Sequence, residues 1–125
     1  MSYTINLTIE GRPISKKNSR QHVTTRDGRK FVIPSEAFRT FQQIALAQLN
    51  QYRNIQLIGP YKVSYRFFMK GNLDADMDNL IAGVNDILQE AGIIDNDKNI
   101  RKFGESEKIA GNKDWKTEIC IEPFY

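Results

Sequence analysis

From Tyr61 to Met69 the chain reads YKVSYRFFM, with Tyr61, Val63, Tyr65, Phe67 and Met69 alternating against Lys62, Ser64, Arg66 and Phe68. Successive side chains of a strand leave on opposite faces, so this segment is a strand with one apolar face. Two helical patterns can cover that face. Ser35 is suited to cap a helix, with Glu36 in its positively polarised first turn. Phe38, Phe41, Ala45, Leu49 and Tyr52 then recur at spacings of three and four, which predicts an amphipathic helix from about 35 to about 52. After the turn KGNLDAD, the residues Leu80, Ile81, Val84, Ile87, Leu88 and Ala91 form the apolar stripe of a second helix. It is expected over about 79–91, with Gly92 as its C-terminal cap.

The remaining segments read as strands. Tyr3 to Ile9 alternates, and the sequence GRP breaks it. His22–Thr25 and Lys30–Ile33 flank an Asp-Gly pair, the signature of a hairpin turn. Asn99–Lys108 and Trp115–Ile121 complete the set. The expected order is β-β-β-α-β-α-β-β, an α/β (α+β) fold with a mixed sheet and two helices. At 125 residues the chain suffices for one modest core and not for two, so 1–125 is expected to form a single domain.

No apolar run approaches the roughly 20 residues that cross a bilayer. The opening MSYTINLTIE alternates and carries a charge early, unlike a secretory leader. Cys120 is the only cysteine, so no disulfide can form within the chain, and a cytoplasmic location is expected.

The formal net charge of +3 conceals a separation. Residues 12–30 hold seven Lys or Arg and one acid, Asp27, whereas residues 74–97 hold seven acids and no Lys or Arg. Either these are two solvated faces of opposite sign, or a polyanion is held beside a bound cation. Lys16, Lys17, Arg20, Arg26, Arg29 and Lys30, with Lys70 ahead of the acids, are the candidate phosphate contacts.

Two uses also compete for the carboxylates. Asp76 or Asp78 can cap the second helix, and Asp95 and Asp97 can make Asx turns. A cap needs only one side chain, however, and Asp74, Asp76 and Asp78 stand at every second position. In an extended chain Asp76 and Asp78 would point the same way, and two bare carboxylates that close repel. A divalent cation removes that cost, and Mg2+ takes such hard oxygen ligands. An EF-hand loop fails at its diagnostic positions, where Asn79 and Asn85 stand in place of Gly and Glu. The expected helix is about 20 Å long, so Asp97 meets Asp76 only if the chain after Gly92 folds back.

The stretch DMDNLIAGVNDILQEAGIIDND resembles the RusA-type Holliday-junction resolvases. Asp76, Asp78 and Asn79 match the family's opening, Asp86-Ile87-Leu88 its helix interior, Gly92 its stop and Asp97 its closing acid. Upstream, GRPISKKNSR resembles the family's early basic loop and RDGRKFVIPS its hairpin, so the likeness covers nearly the whole chain. The resemblance implies an α/β homodimer that binds a branched, four-way DNA junction and cuts one strand at each of two sites, in recombination and repair. It implies Mg2+ held by Asp76, Asp78 and Asp97. Phosphodiester hydrolysis of this kind needs no protein nucleophile. The chain departs from the family at Ala82, where a Lys is typical. Lys98, beside Asp97, is the first candidate to replace that cation, ahead of Lys70, Lys16 and Lys17. Asp74 adds charge where some members carry a basic run, and it reads as a turn residue. Two rivals use the same chain. Asp114-Trp115-Lys116 is a chance-level match to a different nuclease design, and Ala82 supports a junction-binding module without cleavage.

Overall fold

A computed structural model describes residues 3–14 and 20–124, with the backbone alone for 20–23 and 31–34. Strand β1 (Ile5–Glu10) is followed by β2 (Arg20–Thr24) and β3 (Lys30–Pro34), then α1 (Glu36–Gln48), β4 (Tyr61–Lys70), α2 (Met77–Glu90), β5 (Ile100–Phe103), β6 (Glu107–Asn112) and β7 (Lys116–Pro123). The mixed sheet and two helices agree with the expected fold class. Strands β2 and β3 form a separate antiparallel hairpin around the Asp27-Gly28 turn.

Strand β4 is the centre of the main sheet, whose order is β1-β7-β4-β5. One edge of β4 pairs antiparallel with β7 over its length, from Tyr61↔Pro123 to Phe68↔Lys116. Its other edge is shared by two short parallel strands. β5 pairs with residues 61–63, and β6 pairs from Arg66↔Glu107 to Lys70↔Asn112. The single strand expected over Asn99–Lys108 is thus two strands. Gly104 marks the break, donating its N–H to Val63 O at 3.0 Å or less (2.9 Å). A Cβ there would lie 2.0 Å from Ser64 Oγ and 3.3 Å from Ser64 Cβ, so a larger residue would force the Ser64 side chain to move. Ser106 Oγ then accepts the Tyr65 N–H at 3.1 Å, filling the gap in the ladder.

The alternation of β4 sorts as the sequence predicts. Tyr61, Val63, Tyr65, Phe67 and Met69 are buried, and they face the helices. Phe38, Phe41, Ala45 and Leu49 come from α1 and the turn after it, and Leu80, Ile81, Val84, Ile87 and Leu88 from α2. Each of the buried Phe, Leu, Ile and Val side chains contributes about 1.5–3 kcal/mol on burial. Ser35 Oγ accepts the Phe38 N–H at 3.1 Å, which starts α1 as expected.

The end of α2 fixes where the later acids go. Gly92 has φ +69°, its N–H bonds Gln89 O at 3.0 Å, and the Ile93 N–H bonds Leu88 O at 3.0 Å, a Schellman closure. The chain then pairs with residues 54–57 through Asn54 N to Ala91 O (2.8 Å), Gln56 N to Gly92 O (2.9 Å) and Leu57 N to Ile93 O (2.9 Å). Ile93 and Ile94 are buried there. It does not fold back along α2. A Cβ on Gly92 would lie 2.6 Å from Asn54 Oδ1 and 3.2 Å from Asn54 Cα. Gly92→Ala is therefore expected to lower the unfolding free energy by more than about 1 kcal/mol, read from the urea midpoint.

Candidate active site

The first group of acids follows the end of β4. Asp74 is held by Lys108, whose Nζ donates to its Oδ1 at 2.8 Å and to Ala75 O at 3.0 Å. Asp74 also accepts the Ala75 N–H at 2.8 Å. The Lys108 bond, first, and the Ala75 bond hold its carboxyl below the ordinary value. Asp74 is a turn residue, as expected.

Asp76 is the N-cap of α2, and its Oδ1 accepts the N–H groups of Asp78 (2.9 Å) and Asn79 (3.4 Å). The helix therefore begins at Met77, ahead of the expected start near 79. Asp78 lies in its first turn and not in extended chain, so the alternation that would aim both carboxylates alike does not hold. The physical reason is that an Asp side chain satisfies the orphan N–H groups of the first turn. Asp78 is exposed at the positive end of the helix. Among the described residues its carboxylate and Asp76 Oδ2 have no hydrogen-bond or ion-pair partner.

The second group follows Gly92. Asp95 accepts from Tyr61 Oη (2.9 Å) and the Asn96 N–H (2.9 Å) through Oδ1, and from Asn99 Nδ2 (2.9 Å) through Oδ2. The Asn99 bond, then the Tyr61 bond, lower its pKa. Burial, then Asp95, pushes the Tyr61 hydroxyl up to about 12. Asp97 opens a short 3-10 helix, Asp97–Asn99, capped by Asn96, and its N–H bonds Gln89 Oε1 at 3.2 Å. Its carboxylate has no partner among the described residues. Burial, with Asp97 as a lesser cause, raises the pKa of Tyr65, whose hydroxyl bonds Asn85 Oδ1 at 2.6 Å.

The two groups stand at opposite ends of the sheet. Asp97 precedes Ile100, which pairs with Tyr61, the first residue of β4, whereas Asp76 follows Lys70, its last. Gln89, which holds Asp97, is about 20 Å of helix away from Asp76. The fold does not bring Asp97 onto Asp76 and Asp78 within one chain, and among the described residues no three metal-ligating side chains gather. The donors suit a hard divalent ion nonetheless, since Asp78, Asp97 and one oxygen of Asp76 offer exposed carboxylate oxygens with no hydrogen-bond or ion-pair partner among the described residues.

The basic segment leaves the sheet at the Asp76 end. Glu10, the last residue of β1, pairs with Lys116, as Phe68 near the end of β4 does. Arg12 stacks over the Trp115 ring at 5.1 Å. Lys70, Arg26, Arg29 and Lys30 are exposed, with Arg29 paired to Asp27 at 2.9 Å. Lys16, Lys17 and the Arg20 side chain lie outside the described residues. Lys98 is exposed beside Asp97, and Ala82 is half-buried on α2. Lys108 and Gln89, which position acids from a distance, carry no local sequence signal. Phe67 is core, and Phe68 lies under Lys116 Nζ at 4.6 Å.

A family model for the endodeoxyribonuclease RusA matches residues 10–122. The chain belongs to the RusA family. Membership implies endodeoxyribonuclease, hence hydrolase, activity, and points to branched DNA as the substrate class. The matched span contains both acid groups and the basic segment. No curated protein matches the chain. Among the described residues, no helix is long and apolar enough to cross a membrane.

Two outcomes follow for Asp76 and Asp95. Asp76→Ala is expected to cost about 1 kcal/mol through the lost cap, whereas Asp76→Asn keeps the cap and stays near wild type in urea unfolding. Asp95 has a folded pKa below its ordinary value of 3.8, so its stabilising contribution is complete above that value and lost as pH falls through the lower one. Acid unfolding followed by circular dichroism is expected to lose this component of the limb in Asp95→Asn.

Proposed function

We propose that this RusA-family protein is a Mg2+-dependent, structure-selective endodeoxyribonuclease that resolves four-way (Holliday) junctions by paired phosphodiester cleavage in DNA recombination and repair. The family match over residues 10–122 carries the reading. The exposed carboxylates of Asp78 and Asp97, which have no partner among the described residues, support it, because such oxygens are free to take a hard divalent ion. Asp76, Asp78 and Asp97 are the proposed metal ligands. A divalent ion bound there supplies Lewis acidity and neutralises developing negative charge.

The separation along α2 gives this proposal a definite form. Asp76 and Asp78 at one end of α2 and Asp97 at the other make two half-sites per chain. A second copy, related by a two-fold axis, supplies Asp97 to the first copy's pair and receives its own pair in return. The homodimer then carries two complete sites, as paired nicking requires. In this arrangement Asp76 keeps one oxygen on its helix cap and offers the other. Gln89 fixes the backbone of Asp97, and Lys98 places a cation next to the scissile phosphate in place of the Lys missing at Ala82. Lys16, Lys17, Arg20, Arg26, Arg29, Lys30 and Lys70 hold phosphates without reading bases. Ala82 favours one alternative, a junction-binding module that does not cut.

Subunit complementation tests both the chemistry and its division between copies. Asp78→Asn and Asp97→Asn proteins are each expected to bind a synthetic four-way junction and to leave it uncut in Mg2+. A mixed dimer carrying one copy of each retains one complete site and is expected to nick the junction on one side, with EDTA abolishing the cut. If both parents are inactive and the mixed dimer is too, the shared site is wrong. Wild-type protein that binds junctions but leaves them intact with every divalent metal establishes the binding module instead.

A further inference from the structure

Most strand cations with a structural role have a carboxylate partner. Lys62, Arg66, Lys108 and Lys116 lie 3.9, 3.5, 2.8 and 3.9 Å from Glu122, Glu107, Asp74 and Glu118. Among the described residues the cations of β5 lack such partners, as do Lys30 on β3 and Lys70 at the end of β4. Arg101 and Lys102 are exposed, and among the described residues neither they nor Lys98 has an acid partner. The next residue, Phe103, is 55% exposed and is the one aromatic among the large exposed apolar side chains of the described residues. Its ring is not loose, for it meets Tyr65 edge-on at 5.9 Å and 66°, and Tyr65 is in turn anchored to Asn85. β5 is the outermost strand on its side of the first half of β4, and the 3-10 helix carrying Asp97 leads directly into it.

Unpaired cations beside a supported, exposed ring are the elements of a surface that holds a nucleic-acid backbone and stacks an unpaired base. We infer that β5 is a second DNA-contacting edge, in which Phe103, on the face shared with Val63 and Tyr65, stacks on a base exposed where strands branch, while Arg101 and, from the opposite face beside Lys62, Lys102 hold phosphates passing along the edge. It lies beside the Asp97 end of β4, whereas the basic segment leaves β1 at the other end, so the two would hold DNA from opposite ends of the sheet. This rests on the junction-nuclease reading and extends it from Asp97 to the strand that follows. A different explanation exists for cations on a sheet edge, namely that they discourage pairing with another chain's strand.

The test uses full-length protein in EDTA, so that no DNA is cut, with a synthetic open four-way junction and a linear duplex of equal length. Arg101→Ala/Lys102→Ala is expected to lower the steepness of the log K against log salt plot by about two for either DNA. The charge-keeping Arg101→Lys/Lys102→Arg protein is expected to restore it. Phe103→Ala is expected to weaken junction binding by about 5- to 150-fold and duplex binding little, and to remove the quenching of 2-aminopurine placed at the junction centre. An unchanged salt slope, with self-association of the Arg101→Ala/Lys102→Ala protein in light scattering, overturns the inference in favour of edge protection. A Phe103→Ala protein that binds both DNAs as wild type does overturns the stacking role. Wild-type protein that prefers the junction no more than the duplex sinks the junction reading separately, and the salt slope on duplex still decides the β5 contact.

Discussion

The burial of one face of β4 against α1 and α2 sets the position of everything chemically interesting. The strand is ten residues long, about 30 Å when extended. Both of its edges are occupied, by β7 on one side and by β5 and β6 in turn on the other. The helix that follows must return along the same apolar face, because its own stripe has nowhere else to be buried. The turn before α2 and the segment after it consequently lie at opposite ends of the sheet, and the acids are distributed with them.

Within each group the carboxylates divide their work. Asp74 is clamped by Lys108 and Asp95 by Tyr61 and Asn99, and those bonds stiffen the two turns. Asp76 gives one oxygen to the helix. Asp78 and Asp97 make no side-chain hydrogen bond or ion pair among the described residues, and Asp78 complements the positive end of α2. Structural acids thus flank the uncommitted ones and hold the turns that carry them.

Local chemistry made much of this legible in the sequence. Ser35 and Gly92 sit at the helix ends they advertise, and the alternation of β4 reports its buried face. The failures were of two kinds. At Asp76 two local codes compete: alternation of acids in extended chain, and an Asx cap. Cap bonds won, so α2 starts at Met77. Elsewhere the deciding partner is remote in sequence. Gly104, at the break between two strands, packs closely on Ser64, Asp74 is paired with Lys108 on β6, and Asp97 is placed by the pairing of residues 91–93 with 54–57. No spacing rule contains those facts. The family pattern identified Asp97 over its neighbour Asp95, and the hydrogen bonds now supply a reason for that preference, since Asp95 is fully engaged.

The rigidity of α2 has one more implication. If two copies share their carboxylates, this helix is a measuring rod: its length fixes how far apart the two cleavage centres stand, whatever the loops around them do. Lengthening it by a full turn would keep the same faces buried while displacing one centre by about 5.4 Å from the other. Selectivity for a branched substrate would then be partly a matter of calibre, with the interval between scissile phosphates written into the number of helical residues between Asp76 and Gln89.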